Sequence, residues 1–106
     1  MKTIGVVYVI IVWFIAAQVY GQNADSLFTV AQQSAYSKNY AKAQTICRQL
    51  MTQHPSNPDY KLFLGRTFAW QGKTDSAKLI LKQVIDADAN NVDAYDALTD
   101  AELLNK

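Results

Sequence analysis

The chain has 106 residues, half of them hydrophobic, with 10 basic and 9 acidic side chains, one histidine and one cysteine. That length holds one small domain, and the near balance of charge argues against a general nucleic-acid or acidic-membrane binder. A lone cysteine excludes an internal disulfide framework, so a chain this short must pack economically or lean on a neighbour.

The first stretch has to be set apart from the fold. Lys2 precedes an apolar run from Ile4 to Ala17, and Gln18, Val19, Tyr20, Gly21 and Gln22 follow, which is the order of a secretory signal peptide. Val19 and Gly21 would be the small-residue pair before a cut between Gly21 and Gln22, making residues 1–21 the signal and residues 22–106 the mature domain. A retained N-terminal membrane anchor is the alternative, since a spanning helix wants about 20 apolar residues and this run is only somewhat shorter. Loss of Lys2 leaves equal numbers of basic and acidic residues in 22–106. They are segregated: Lys and Arg dominate between Lys38 and Lys82, whereas Asp86, Asp88, Asp93, Asp96, Asp100 and Glu102 crowd the end. Solvated helix faces account for this simply; head-to-tail stacking or an acidic patch for a partner is the other reading.

From Asn23 the pattern turns helical, with Asp25 or Ser26 placed to cap and Leu27, Phe28, Val30 and Ala31 as the first apolar set. Ser37, Lys38 and Asn39 break it. Tyr40, Ala43, Ile46, Cys47 and Leu50 recur at steps of three and four, one face of a second helix that ends at His54 before Pro55. Asn57 or Asp59 can cap a third helix carrying Leu62, Leu64, Gly65, Phe68, Ala69 and Trp70, which stops at Gly72. A fourth begins near Thr74 and buries Ala77, Leu81, Val84 and Ile85; a fifth runs from Val92 or Asp93 through Tyr95, Leu98, Ala101, Leu103 and Leu104. No segment alternates with a two-residue period, so an all-α fold is expected.

Helix, turn and helix recur with a period of 34 residues, superposing Val30 on Leu64, Ala31 on Gly65, Tyr36 on Trp70, Ala43 on Ala77 and Cys47 on Leu81. The chain resembles the tetratricopeptide repeat family: Leu64, Gly65, Phe68, Gly72, Ala77 and Leu81 match its signature best. The first copy departs more, with Ala31 for the glycine and Cys47 for the large residue. The expected architecture is two and a half repeats, about 24–57, 58–91 and a half repeat 92–106, in five helices. Ala31, Ala43, Gly65 and Ala77 are small where the two helices of a hairpin cross, which lets their axes approach. Hairpins that cannot bury their apolar faces alone then stack into a short solenoid.

In such a stack the resemblance implies that the first helix of each repeat lines a concave surface. Three ladders would cross it: Phe28, Leu62 and Asp96; Gln32, Arg66 and Asp100; Tyr36, Trp70 and Leu104. Phe28, Gln32, Tyr36, Leu62, Arg66 and Trp70 are therefore the candidate partner-binding residues, and Tyr, Trp and Arg are the types that dominate interface energetics. Packing of Trp70 against the next repeat is the competing role. Relatives that clamp a peptide's terminal carboxylate use Lys and Asn on these ladders, a pattern absent here. No catalytic, metal or cofactor constellation can be assembled around the single His54 or the single Cys47, so a non-catalytic module without cofactor is expected. Cys47 reads as a buried small hydrophobe, with an intermolecular bridge as the alternative.

The runs Leu64 to Lys73 and Asn91 to Leu103 also resemble the periplasmic repeat region that precedes the outer-membrane β-barrel in YaiO-type proteins, without the barrel. The resemblance implies a periplasmic or outer-membrane-associated protein of a Gram-negative envelope, with a protein or peptide as its partner and no nucleic acid. A structural, self-associating envelope protein, or the first part of a longer barrel protein, is the alternative.

Overall fold

The computed structural model describes residues 24–104, so the expected signal segment, residues 1–21, lies outside the described residues. Five helices follow in order: α1 (Ala24–Tyr36), α2 (Tyr40–Gln53), α3 (Pro58–Trp70), α4 (Thr74–Ala87) and α5 (Val92–Leu104). Among the described residues there is no strand. Each helix packs on the next, and α3 runs close beside α5 as well. The architecture is all-α, two helical hairpins with a fifth helix against the second.

Three of the helix starts are fixed by asparagine. Asn39 Oδ1 accepts from the Lys42 N–H at 3.4 Å, Asn57 Oδ1 from the Asp59 N–H at 3.0 Å, and Asn91 Oδ1 from the Ala94 N–H at 3.1 Å. Each satisfies an amide that the helix itself leaves without an acceptor, a contribution of about 1 kcal/mol. Pro58, with its φ already helical and no N–H to lose, takes the first position of α3. Asp25 and Ser26 correct an expectation: they lie inside the first turn of α1 rather than ahead of it. Asp25 there complements the positive end of the helix instead of capping it.

The two hairpin turns are built alike. Lys38 and Gly72 occupy the same position of successive repeats, and both are left-handed, with φ of 67° and 83°. In the second turn the Gly72 N–H donates to Ala69 O at 3.0 Å and the Lys73 N–H to Phe68 O at 2.9 Å; in the first, Lys38 donates to Ala35 O at 2.9 Å and Asn39 to Ser34 O at 2.8 Å. This pair of reversed bonds closes a helix C-terminus, and it favours glycine because a side chain at positive φ is strained.

Above the second turn, Gly65 lets α3 and α4 touch. A Cβ there would stand 2.7 Å from Leu81 Cδ2, closer than packed carbons approach. One repeat earlier the same positions hold Ala31 and Cys47, both wholly buried. A larger residue replaces the glycine and a smaller one the leucine, so volume at the crossing is roughly preserved. Ala43 and Ala77 are likewise fully buried, and Leu50, Leu64, Phe68, Leu81 and Val84 complete the core. Thr67, the one buried polar residue among those described, donates its hydroxyl to Leu64 O at 2.6 Å.

Of the apolar residues named on the fifth helix, only Ala101 is fully buried and Leu98 partly so. Ala94, Ala97 and Ala101 point into the protein, while Val92, Tyr95, Leu103 and Leu104 are exposed. The alanines win because α5 lies close against both α3 and α4, where larger side chains would not fit. Val30 on α1 is also exposed, leaving Ala31 and Ala35 as the buried pair of that helix.

Candidate functional site

A concave cleft opens between α1 and α3. Its walls are Phe28, Gln32 and Tyr36 from α1 and Asp59, Leu62, Phe63, Arg66 and Trp70 from α3, enclosing a volume of about 360 Å³. Phe28, Gln32 and Tyr36 stand at steps of four, as do Leu62, Arg66 and Trp70, so each helix presents one stripe to the cleft. All six candidate binding residues are brought together here.

Rings set the spacing of the cleft. Phe28 meets Tyr60 edge-on at 5.0 Å between centroids and Phe63 at 5.6 Å. Phe63 meets Tyr36 at 6.4 Å and Trp70 at 5.7 Å, both edge to face, and Tyr36 and Trp70 stand 5.9 Å apart at a tilt of 47°. Phe63 and Tyr60 are buried, whereas Tyr36 is 68 % and Trp70 37 % exposed. Trp70 thus does two things: one side packs on Phe63, and a third of its surface remains open to the cleft. Edge-to-face pairs contribute about 0.5–1.5 kcal/mol each beyond burial, so this cluster is stiff as well as apolar.

Two walls of the cleft are additions to the six: Phe63, and Asp59, which the sequence marks only as a possible helix cap. Phe63 lies seven residues before Trp70, two helical turns below it on nearly the same face, and that spacing was the available signal. Its position in the other repeats is taken by Thr29 and Ala97, so no aromatic ladder advertises it.

Arg66 is the cation of the cleft. It is partly exposed, and its Nη2 donates to the backbone oxygen of Asp93 at 3.4 Å, which draws the guanidinium toward the start of α5. No carboxylate among the described residues lies within ion-pair distance of it. The third rungs of the ladders, Asp96, Asp100 and Leu104, are exposed on α5 and do not wall the cleft. The arrangement suits recognition: a fixed apolar wall, an amide at Gln32 and charges of both signs at the margin.

The remaining candidates lie elsewhere. Cys47 is buried on α2, and burial pushes its thiol up to about 11, with Arg48 opposing. It is protonated at neutral pH and reaches no other molecule unless α2 opens. His54 ends α2, exposed, with its ring 6.1 Å from that of Tyr60. Among the described residues, no three His, Cys, Asp or Glu side chains gather as they would around a metal ion. A second hollow, about 420 Å³, lies among the helix ends between Met51, Pro55, Pro58, Lys61, Val84 and Ala87.

Stacked helical hairpins with a 34-residue period, a left-handed turn in each and small residues at each crossing define a helical repeat protein. The tetratricopeptide repeat family matches over residues 35–101, and the chain belongs to it. No curated protein and no solved structure matches the chain. Repeats of this family are in general protein-interaction modules that bind proteins or peptides and are typically non-catalytic.

Proposed function

We propose that this protein is a non-catalytic interaction module that holds a peptide or protein segment in the cleft between α1 and α3. One observation carries the reading: two successive first helices converge Tyr36, Arg66 and Trp70 on an open hollow floored by Phe63. These are the residue types that supply most binding energy at interfaces, and they stand on rigid helices. Replacing Trp70 and Arg66 together by alanine should weaken partner capture from an envelope extract while the circular dichroism spectrum stays helical. Unchanged capture by the double variant would remove the cleft from the account.

Lys2, the apolar run from Ile4 to Ala17 and the small residues up to Gly21 support export to the periplasm or the outer-membrane surface; a retained inner-membrane anchor is the alternative. The likeness of residues 64–73 and 91–103 to YaiO-type repeat regions supports a place beside outer-membrane components. Intact mass of the protein from its native envelope decides whether residues 1–21 are removed.

A second reading is favoured by the outer face of α5. Val92, Tyr95 and Leu103 are exposed there, 68 %, 45 % and 58 %, on the side opposite Ala94, Ala97 and Ala101. Apolar side chains grouped in this way suit self-association into a structural assembly. Sedimentation across a concentration series tests it, and a monomer throughout would exclude it.

A further inference from the structure

The concave surface is not electrically neutral, and its charge points to the kind of segment it takes. Asp25, Asp59 and Asp93 stand at one repeat position, in the first turns of α1, α3 and α5. Asp59 is a wall of the cleft, and Asp93 meets Arg66 through its backbone oxygen. Asp96 and Asp100 occupy on α5 the positions of Leu62 and Arg66, which wall the cleft on α3. Arg66 is the cation set against these five carboxylates, because Lys61, also on α3, lines the other hollow. Lys42, Arg48, Lys78 and Lys82 lie on the second helices, α2 and α4. Asp75 and Asp86 offset the two lysines of α4, whereas α5 carries Asp93, Asp96, Asp100 and Glu102 and no basic side chain, so the negative charge is concentrated on the last of the first helices.

Helix electrostatics accounts for part of this. A carboxylate in a first turn favours the helix, which covers Asp25, Asp59 and Asp93. It does not cover Asp96 and Asp100: Asp100 approaches the negative end of α5, and Asp93, Asp96 and Asp100 repel one another at steps of three and four. None of the five forms an ion pair with a described residue; Lys78 instead reaches Glu102, at 3.7 Å. By repeat position, carboxylates without an ion-pair partner among the described residues follow on α5 from the Leu62 and Arg66 rungs of the cleft.

We propose that the occupant is an extended cationic peptide segment, with a large apolar side chain seated against Tyr36, Phe63 and Trp70 and a Lys or Arg lying against Asp96 and Asp100. This rests on the cleft being the binding surface. Packed helices are about 8–10 Å apart, so α5 lies about one and a half spacings, roughly 12–15 Å, from the middle of the cleft, and at about 3.3 Å per residue the basic residue falls roughly four or five positions from the apolar anchor. Complementary charge of this kind selects among partners and speeds encounter.

The test uses the full chain and synthetic peptides in calorimetric titrations: a tryptophan, a short Gly/Ser spacer and two lysines, with two companions in which glutamates replace the lysines or alanine replaces the tryptophan. The lysine peptide should bind at least about tenfold more tightly than the glutamate peptide at low ionic strength, with the gap narrowing as salt screens the exposed carboxylates. In the Asp96→Asn/Asp100→Asn variant the two peptides should bind alike, while dependence on the tryptophan remains. Equal or tighter binding of the glutamate peptide to the unaltered protein, or a lysine preference that survives the double variant, overturns the cationic occupant and leaves the cleft standing. Absence of binding by all three peptides overturns both.

Discussion

The two junctions between successive first helices are built in opposite ways. Between α1 and α3 stand the rings of Phe28, Tyr36, Tyr60, Phe63 and Trp70, and the backbones are held apart with an open cleft between them. Where α5 packs on α3 and α4 it presents Ala94, Ala97 and Ala101, all essentially without exposure, and the backbones of α3 and α5 run close together. Phe63 and Ala97 occupy the same repeat position. One period thus gives one fold, while side-chain volume at a single rung decides whether a junction opens into a site or closes into core.

Exchanging that rung breaks the comparison most severely. Phe63→Ala removes the ring on which Phe28, Tyr36 and Trp70 converge and should cost about 3–5 kcal/mol in a urea melt, with Trp70 emission shifting to the red as the cleft loosens. The reciprocal Ala97→Phe forces a ring into the tight junction and should cost about 1–3 kcal/mol by overpacking. Were Ala97→Phe neutral, the closeness of α3 and α5 would not be set by the alanines.

The hairpins offer a smaller version of the same contrast. Lys38 and Gly72 share a left-handed position, and only the glycine takes it without strain. Lys38→Gly should stabilise the protein by up to about 1 kcal/mol and Gly72→Ala should destabilise it by about as much, both read from thermal melts. The smallest effect belongs to Cys47. Burial pushes its folded-state thiol up to about 11, above the ordinary thiol range, so the stability it contributes is complete below the unfolded thiol's pKa and is lost as pH rises toward 11. Thermal melts of wild type and Cys47→Ala should converge over that window, and a constant gap would count against burial as the cause.

The helices and hairpins were legible because they depend on local rules. Asn39, Asn57, Pro58 and Gly72 are punctuation that acts within a few residues, and Gly65, Ala77 and Leu81 repeat a crossing already marked by Ala31, Ala43 and Cys47. The six cleft residues followed from the period together with the family resemblance, which puts the first helices on the concave face. What was not legible depends on distance between helices. Phe63 has no aromatic counterpart at Thr29 or Ala97, so its role emerges only where α1 and α3 meet. The burial of alanines rather than Tyr95 and Leu103 on α5 reflects how closely α3 and α4 flank it, which hydropathy along one helix does not encode.

The central claim is that the ring-lined junction, and not the alanine-closed one, is the binding surface. Amide and indole chemical shifts of the isotope-labelled protein, followed while the tryptophan–lysine peptide is added, test it most directly. The account predicts shifts centred on Gln32, Tyr36, Arg66 and the Trp70 indole, extending to Asp96 and Asp100. Shifts confined to the outer face of α5, around Val92, Tyr95 and Leu103, or to the second helices, would contradict it.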